Sequence, residues 1–234
     1  MEFKITTNYG DIVLSYLGKK YFANTKQDKW KYFIQKSLNK EFEVPKEKIF
    51  SLTQVHGDKF VTSSELSKHP DLEVEADAII SERIDELLVI RTADCVPIAI
   101  WSYDYPLIAN IHSGWKGTKE KILEKTYFRM KEILATKNIH HPRFGFAIGP
   151  RIAGRHYEID YDVAQYFKDT LGLMKKDGSK FNLDLGKLIE VKIREIAEDP
   201  VILDFTESTY ESENWFSHRA KDEGRNLNCI RIKI

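Results

Sequence analysis

Three short segments of this chain each place a metal-binding or nucleophilic side chain at the edge of an apolar run, beside a turn residue. The side chains are His56 in TQVHG, Cys95 in TADCVP and His112 in NIHSGW. Strand ends and their loops often carry functional side chains on a rigid scaffold. Two imidazoles and a thiolate suit a catalytic zinc ion, which keeps a fourth position open. Taken singly, a structural histidine or a small buried cysteine is the simpler interpretation, so the pattern leaves both open.

Two further segments have the residue types of an anion site. The run GWKGT ends at Thr118, where a helix is expected to begin, and its glycines and Lys116 would suit phosphate at that helix start. Near the C-terminus, the run WFSHR followed by GR joins an aromatic pair to two arginines, which could bind a planar base and an anion. A solvated lysine in a tight turn and a basic surface loop are the alternatives.

The apolar pattern predicts the elements that must position these residues. Short runs rich in Ile and Val predict strands at 3–5, 12–14, 76–80, 86–90, 96–101, 107–111, 143–148, 201–205 and 229–234. Residues 48–62 predict two strands around a turn, and 64–75 predict a loop. Helices are predicted from Thr25, from Thr118, over 160–172, and after Asp184 as the N-cap.

Strands and helices mix without strict alternation. This order predicts one α/β (α+β) domain over residues 1–234, built from mixed β-sheets packed as a sandwich with flanking helices.

The bulk composition indicates which partners to expect. Lys plus Arg and Asp plus Glu are equal at 36 each, so no net charge favours nucleic acid or a membrane surface. The chain has two cysteines, no basic and apolar leader, and no apolar run approaching the ~20 residues of a membrane span. We therefore expect a cytoplasmic protein that binds small molecules, as a monomer or weak homodimer.

Taken together, the motifs resemble a known family. In order they read QVHG, EADAIIS, TADCVPI, IHSGWKG, FAIGPRI, HYEI, LDL and FSHRAKDEGR. This order resembles the multicopper polyphenol oxidoreductase, or laccase-domain, family, whose members are also described as purine nucleoside phosphorylases. The resemblance implies zinc on His56, Cys95 and His112, and a sandwich related to the catalytic domain of cytotoxic necrotizing factor. It also implies phosphorolysis of adenosine, inosine, guanosine or methylthioadenosine, with an adenosine deaminase side activity.

Roles follow for the neighbours of the expected ligands. Gln54 and Asp94 are expected to join the ligands in catalysis by orienting them or relaying protons, and Asp77 is a weaker candidate for the same work. The phosphate is expected on Lys116 and Thr118, together with Arg225.

The chain departs from the family pattern in places. Lys116 replaces the usual arginine, which keeps the charge but loses the bidentate fork. The other departures are Arg151, Arg155, His156, Ser208 and His218.

Three other functions are weighed against the phosphorylase. Cys95 could be a nucleophile activated by His112 and assisted by His56, in a hydrolase of amides or esters such as cell-wall precursors. The same ligands could hold copper, but seven histidines without a His-x-His pair do not suit a multicopper polyphenol oxidase. A fourth protein ligand would instead indicate a non-catalytic metal-binding protein.

Overall fold

The computed structural model describes residues 1–21, 30–68, 74–175 and 180–234. Its strands are β1 (Glu2–Thr7), β2 (Gly10–Leu17), β3 (Ile49–Phe50), β4 (Phe60–Thr62), β5 (Ala78–Ser81), β6 (Leu87–Thr92), β7 (Val96–Ser102), β8 (Ile108–Ser113), β9 (Phe144–Ile148), β10 (Glu158–Ile159), β11 (Leu173–Lys175), β12 (Phe181–Leu183), β13 (Val201–Asp204) and β14 (Asn226–Lys233). Its α-helices are α1 (Trp30–Phe42), α2 (Ser63–Ser67), α3 (Trp115–Lys119), α4 (Ile122–Thr136), α5 (Tyr161–Ala164) and α6 (Leu185–Ile196).

The strands form two large sheets and one small sheet. The five-stranded sheet has the order β1-β2-β14-β6-β3, and the six-stranded sheet has the order β13-β9-β7-β8-β5-β4. Pairs β3–β6, β4–β5 and β13–β9 are parallel, and the other pairs in these two sheets are antiparallel. The small sheet has the order β10-β12-β11. The predicted mixed sheets are therefore confirmed.

The two large sheets pack against each other through one buried apolar cluster. Leu14 and Leu88 from the five-stranded sheet meet Trp101 and Ile108 from the six-stranded sheet. Because alternate residues of a strand point to opposite faces, the neighbours of these residues point outward to the helices.

Helices cover the outer faces of this sandwich. On the six-stranded sheet, Ile98 and Phe146 pack with residues of α4 and α6. On the five-stranded sheet, Leu87 and Val89 pack with Leu38 of α1. The order of layers is helix, sheet, sheet, helix, as the sequence predicts.

Three sequence predictions need correction. Residues 64–75 were expected to be a loop, but α2 occupies part of them and starts with a capping box. Thr62 Oγ1 accepts from the Glu65 N–H at 3.2 Å, and the Glu65 carboxylate accepts from the Thr62 N–H at 2.7 Å. The helix expected from Thr118 is two helices, α3 and α4, because Lys121 between them has a left-handed φ of 67°.

The third correction concerns residues 160–172. They contain α5 and a short 3₁₀ turn, Gln165–Phe167, rather than one helix. The small sheet was missed because strands of two or three residues show no periodicity. The N-cap of α6 is confirmed, since Asp184 accepts from the Lys187 N–H at 2.9 Å. The expected start of the first helix at Thr25 lies outside the described residues. Within the described residues, α1 begins at Trp30.

None of the helices in the described part of the chain is long and apolar enough to cross a membrane.

Candidate metal centre and its cavity

His56, Cys95 and His112 converge at one end of the six-stranded sheet. Their ligand atoms all lie within 4.8 Å of one another, and the two imidazole rings are nearly perpendicular, at 80°. We call these three residues the ligand cluster. Among the described residues, no fourth His, Cys, Asp or Glu joins this group. The ligand cluster can therefore hold a metal ion with a coordination position left for a small molecule.

Strand pairing brings two of the three ligands together. Cys95 lies in the tight turn between β6 and β7, and His112 lies near the end of β8. In the antiparallel β7–β8 pair, Pro97 is opposite His112 and Val96 is opposite Ser113. The residue before β7 is therefore next to the end of β8, although the two ligands are far apart in the sequence.

Asp77 holds His56 close to His112. Its buried carboxylate accepts from His112 Nδ1 at 2.7 Å and from the His56 N–H at 3.0 Å. It also accepts from the Gly57 N–H at 2.7 Å. With Nδ1 bound to Asp77, His112 presents Nε2 for a metal. A histidine ligand is commonly oriented in this way by a carboxylate.

Charges within the ligand cluster stabilise one another. Burial alone would raise the pKa of the Cys95 thiol, but the charge and hydrogen bond of His112, with a hydrogen bond from His56, lower it to about 6. Burial would lower the pKa of His112, but Cys95 and Asp77 raise it to about 9. The geometry therefore favours the thiolate, the form that binds metals and acts as a nucleophile.

The pKa of Asp77 is also shifted. Burial opposes its charge, but hydrogen bonds from His112 and from the Gly57 N–H outweigh that penalty and hold the pKa below its usual value. Asp77 is thus a charged acceptor beneath the ligand cluster.

Gly114 leaves room for the sulfur. A Cβ at this position would lie 3.0 Å from Cys95 Sγ and 3.4 Å from His56 Cδ2. The sequence interpretation assigned this glycine to a phosphate turn, but its close neighbours are ligands of the cluster.

Gln54 acts on the position of its neighbours. Its side-chain amide donates to the Arg91 carbonyl at 2.7 Å and accepts from the Arg91 N–H at 2.8 Å. This pair of bonds fastens the segment that carries His56 to the end of β6. His56 itself has a left-handed φ of 59°, which is uncommon for a residue other than glycine.

Asp94 binds the C-terminal segment. One carboxylate oxygen accepts from Thr209 Oγ1 at 2.7 Å, and the other accepts from the Arg219 N–H at 2.7 Å. Its carbonyl accepts from the Ile152 N–H at 3.1 Å. Like His56, Asp94 has a left-handed backbone, with φ of 85°. These bonds hold the turn that carries Cys95.

A cavity of about 650 Å³ opens over the ligand cluster. Trp115 and Tyr157 supply aromatic surface to its lining, and Arg91, Arg219 and Arg225 supply positive charge. We call these three arginines the arginine wall. The cavity combines a metal-binding floor, flat apolar surface and cationic groups, which suits a planar ligand with an anion beside it.

The structure brings some of the predicted site residues to this cavity and leaves others outside it. Gln54, Asp94 and Arg225 line it with the ligand cluster. Lys116 and Thr118 do not line it. Lys116 is exposed, with Nζ 5.6 Å from the Trp115 ring, and Thr118 Oγ1 donates to the Gly114 carbonyl at 2.9 Å.

The geometry of α3 explains this difference. The helix begins at Trp115, whose side chain faces the cavity, and successive residues of an α-helix are turned by about 100°. Lys116 therefore points elsewhere. With five residues, α3 is also too short to offer an anion site at its N-terminus.

Sequence reasoning gave no site role to Arg91, Trp115 or Tyr157. Arg91 had a usable signal, because it is the one charged residue in the run LLVIRT, just before the turn with Cys95. The other two are aromatic residues, which are as common in a core as in a site, so their type alone did not single them out.

Four of the departures from the family pattern have contacts or positions that the structure defines. Ser208 Oγ and His156 Nδ1 are 3.5 Å apart, so these two positions face each other. Arg151 is buried and paired with Asp204 at 2.7 Å, which commits it to holding β13. His218 lines the cavity.

Comparison with known proteins agrees with the motif order. Residues 34–233 match the family described as "Multi-copper polyphenol oxidoreductase laccase". The chain belongs to this family.

Several relatives are named purine nucleoside phosphorylase. One from Rickettsia conorii is 30% identical over 185 residues, which cover 75% of this chain and 71% of that protein. One from Synechocystis is 34% identical over 125 residues, 51% of this chain and 46% of that protein. The match thus spans about half the length of the Synechocystis relative, and 48% of a similar one from Clostridium acetobutylicum.

Solved structures share the fold. A protein of Neisseria meningitidis superposes with a TM-score of 0.79 at 18% identity, covering 100% of this chain and 99% of that one. The protein YlmD of Geobacillus stearothermophilus gives 0.75 at 23% identity, covering 86% and 79%.

Proposed function

We propose that this protein is a zinc-dependent purine nucleoside phosphorylase, acting on adenosine, inosine, guanosine and methylthioadenosine, with an adenosine deaminase side activity. The observation that carries the proposal is the ligand cluster, at the floor of a cavity with aromatic surface and the arginine wall. Relatives named purine nucleoside phosphorylase in the same family support it.

The donor set fits zinc. Two imidazoles and a thiolate are borderline and soft ligands that zinc prefers, and His112 has the carboxylate partner that orients a histidine ligand. Zinc held by His56, Cys95 and His112 would supply a Lewis acid that lowers the pKa of a bound water. Copper is the alternative ion for this set.

In phosphorolysis, an oxygen of phosphate bonds to C1′ of the ribose and the bond from C1′ to N9 of the purine breaks. The base leaves with the electron pair and takes up the proton that the phosphate gives up. Trp115 and Tyr157 would bind the sugar or base, and the cationic residues would hold the phosphate. Gln54 and Asp94 would fix the position of the arginine wall relative to the ligand cluster. Gln54 bonds to backbone atoms of Arg91, and Asp94 bonds to the backbone N–H of Arg219.

A product assay tests this proposal. Purified protein would be incubated with each nucleoside, with and without phosphate, and the metal content would be measured on the same sample. We expect free base and the 1-phosphate of the sugar only when phosphate is present, and bound zinc close to one per chain. Adenosine without phosphate should give inosine and ammonia. Absence of base release with all four nucleosides would contradict the phosphorylase.

One observation favours a second candidate function. Cys95, His112 and Asp77 form a chain in which a thiol hydrogen-bonds an imidazole that is oriented by a carboxylate. The same arrangement activates the nucleophile of cysteine hydrolases. Such an enzyme would cleave an amide or ester, and it would stay active after a chelator but lose activity with iodoacetamide. The zinc enzyme would lose activity with the chelator.

A further inference from the structure

Arg219 and Arg225 bring positive charge to the cavity, and the described lining residues do not balance it. Among the described residues that line the cavity, Asp94 is the only carboxylate, and both of its oxygens already accept hydrogen bonds, from Thr209 and from Arg219 N–H. Arg219 and Arg225 make no ion pair with any carboxylate in the described part of the chain. An arginine facing a cavity without an acidic partner is available for an anionic ligand.

Arg219 is fixed in place yet retains free donors. Its Nη2 donates to the Glu158 carbonyl at 2.8 Å, its Nη1 lies 3.5 Å from the His156 carbonyl, and its guanidinium is 5.5 Å from the Tyr157 ring centroid. A guanidinium has five N–H donors, so these contacts hold the group and leave others for a ligand.

Arg225 is held by its own backbone surroundings. Its Nη1 donates to the Gly224 carbonyl at 2.7 Å, and β14 begins at the next residue, Asn226. Asn226 pairs with Thr92 and Leu227 with Arg91. This register places Arg225 beside the turn that carries Cys95, and it places Arg91 on the adjacent strand.

The arginine wall is thus tied to the ligand cluster through backbone hydrogen bonds. Gln54, which lies two residues before His56, hydrogen-bonds to the backbone of Arg91. Asp94, which lies one residue before Cys95, hydrogen-bonds to the backbone of Arg219. A ligand on the wall would therefore sit at a fixed distance from the metal-binding floor. Such pre-organisation is what a two-substrate reaction requires.

We propose that Arg219 and Arg225, with Arg91, form the subsite for the phosphate dianion, in place of the turn at Lys116 and Thr118. The assignment rests on the proposed function, because it names the residues that hold the second substrate. In this assignment, the phosphate binds to the arginine wall on one side of the cavity, and the nucleoside binds on the other side, over the ligand cluster.

Calorimetric titration of the zinc-loaded protein with inorganic phosphate tests the subsite. We expect one phosphate per wild-type chain, and affinity lower by about tenfold or more in Arg219→Gln and in Arg225→Gln, because each loses charge-assisted hydrogen bonds. Arg129→Gln is the matched control, since Arg129 is an exposed arginine on α4 paired with Glu132, and it should leave phosphate affinity unchanged. Thermal unfolding of each variant checks that it is folded, and Arg219→Lys provides a milder change if Arg219→Gln is not.

Further arms separate this assignment from its alternatives. Phosphate affinity that is lost in Cys95→Ala but kept in both Arg→Gln variants would place the anion on the metal and overturn the proposal. Tighter binding of adenosine monophosphate than of inorganic phosphate would also overturn it, because the wall would then serve a nucleotide. If phosphate binds as expected but no nucleoside is cleaved, the anion subsite stands and the phosphorylase does not. If cleavage depends on phosphate while its KM is unchanged in both variants, the phosphorylase stands and the wall does not.

Discussion

The ligand cluster and the arginine wall line the same cavity, but the chain holds them in different ways. His112 is buried, and its partner Asp77 is fully buried beneath it. Arg219 is exposed, and it is held by contacts with backbone carbonyls and one aromatic ring. Buried hydrogen bonds to a charged group are costly to leave unmade, whereas exposed charges contribute little to folding.

This difference predicts which property each region controls. Changes in the ligand cluster should alter metal binding and stability together, because the same buried bonds serve both. Changes in the arginine wall should alter substrate affinity while the metal and the fold remain. The following experiments can break or sharpen that division.

The largest effect is expected from the sulfur ligand. Cys95→Ala should no longer bind one zinc per chain, and its rate of phosphorolysis should fall by more than about a hundredfold. Removing a hydrogen-bond partner of a metal ligand typically costs about 10- to 100-fold, and removing the ligand itself should cost more. Cys229→Ala is a matched control, because Cys229 is the other cysteine of the chain but is buried against α1 residues on the far face of the five-stranded sheet. It should keep its zinc and activity, at a cost of about 1 kcal/mol in the free energy of unfolding. Elemental analysis and a base-release assay measure both. Inactive Cys95→Ala protein with full zinc would instead indicate a nucleophilic cysteine.

The next effect is expected beneath the ligands. Asp77→Asn keeps the size of the side chain but removes the charge that His112 Nδ1 and the Gly57 N–H face. Zinc affinity should fall by about 10- to 100-fold, as is typical when the partner of a histidine ligand is removed. Competition with a chromogenic chelator measures it. Asp104→Asn is the control, because Asp104 also accepts a backbone N–H, from Arg143 at 2.7 Å, but outside the described lining of the cavity. Equal zinc affinity in wild type and Asp77→Asn would remove Asp77 from the metal centre.

The same contrast explains what the sequence could and could not predict. Short apolar runs and the Asp184 cap predicted the larger sheets and α6, because local patterning decides which residues are buried there. His56, Cys95 and His112 could be singled out because their types are rare and each lies at the edge of an apolar run. The sequence did not predict which way the basic side chains point. Lys116 and Arg225 each adjoin a glycine in the sequence, but helix geometry turns the Lys116 side chain away from the cavity, whereas strand pairing of β14 with β6 places Arg225 at the cavity. Pairing between distant strands is set by the packing of the whole chain, so a local pattern does not reveal it.

A smaller effect is expected where the two regions are joined. Thr209→Val removes the hydroxyl that donates to Asp94 at 2.7 Å, while the Arg219 N–H still donates to the other carboxylate oxygen. The free energy of unfolding should fall by about 1–3 kcal/mol, because a buried acceptor loses its partner. Zinc content should be unchanged, and the KM for phosphate should rise because Arg219 is held less firmly. Thr6→Val removes a similar bond to Asp11 at an exposed position, and it should change neither the free energy of unfolding nor the KM for phosphate. Urea unfolding and initial rates provide the readouts. Loss of zinc in Thr209→Val would show that the two regions are not separable.

The smallest effect is expected at the turn that the sequence favoured for phosphate. Lys116 is exposed, its ammonium lies over the Trp115 ring, and it is absent from the described lining of the cavity. Lys116→Gln should change the KM for phosphate by less than about twofold, because a solvent-screened charge outside the cavity adds little to binding. Trp115→Leu in parallel tests the neighbour that does face the cavity, and we expect it to raise the KM for the nucleoside and leave that for phosphate unchanged. Initial rates over a matrix of phosphate and nucleoside concentrations give both values. A large rise in the phosphate KM of Lys116→Gln would return the anion to the helix start and leave the arginine wall without a substrate.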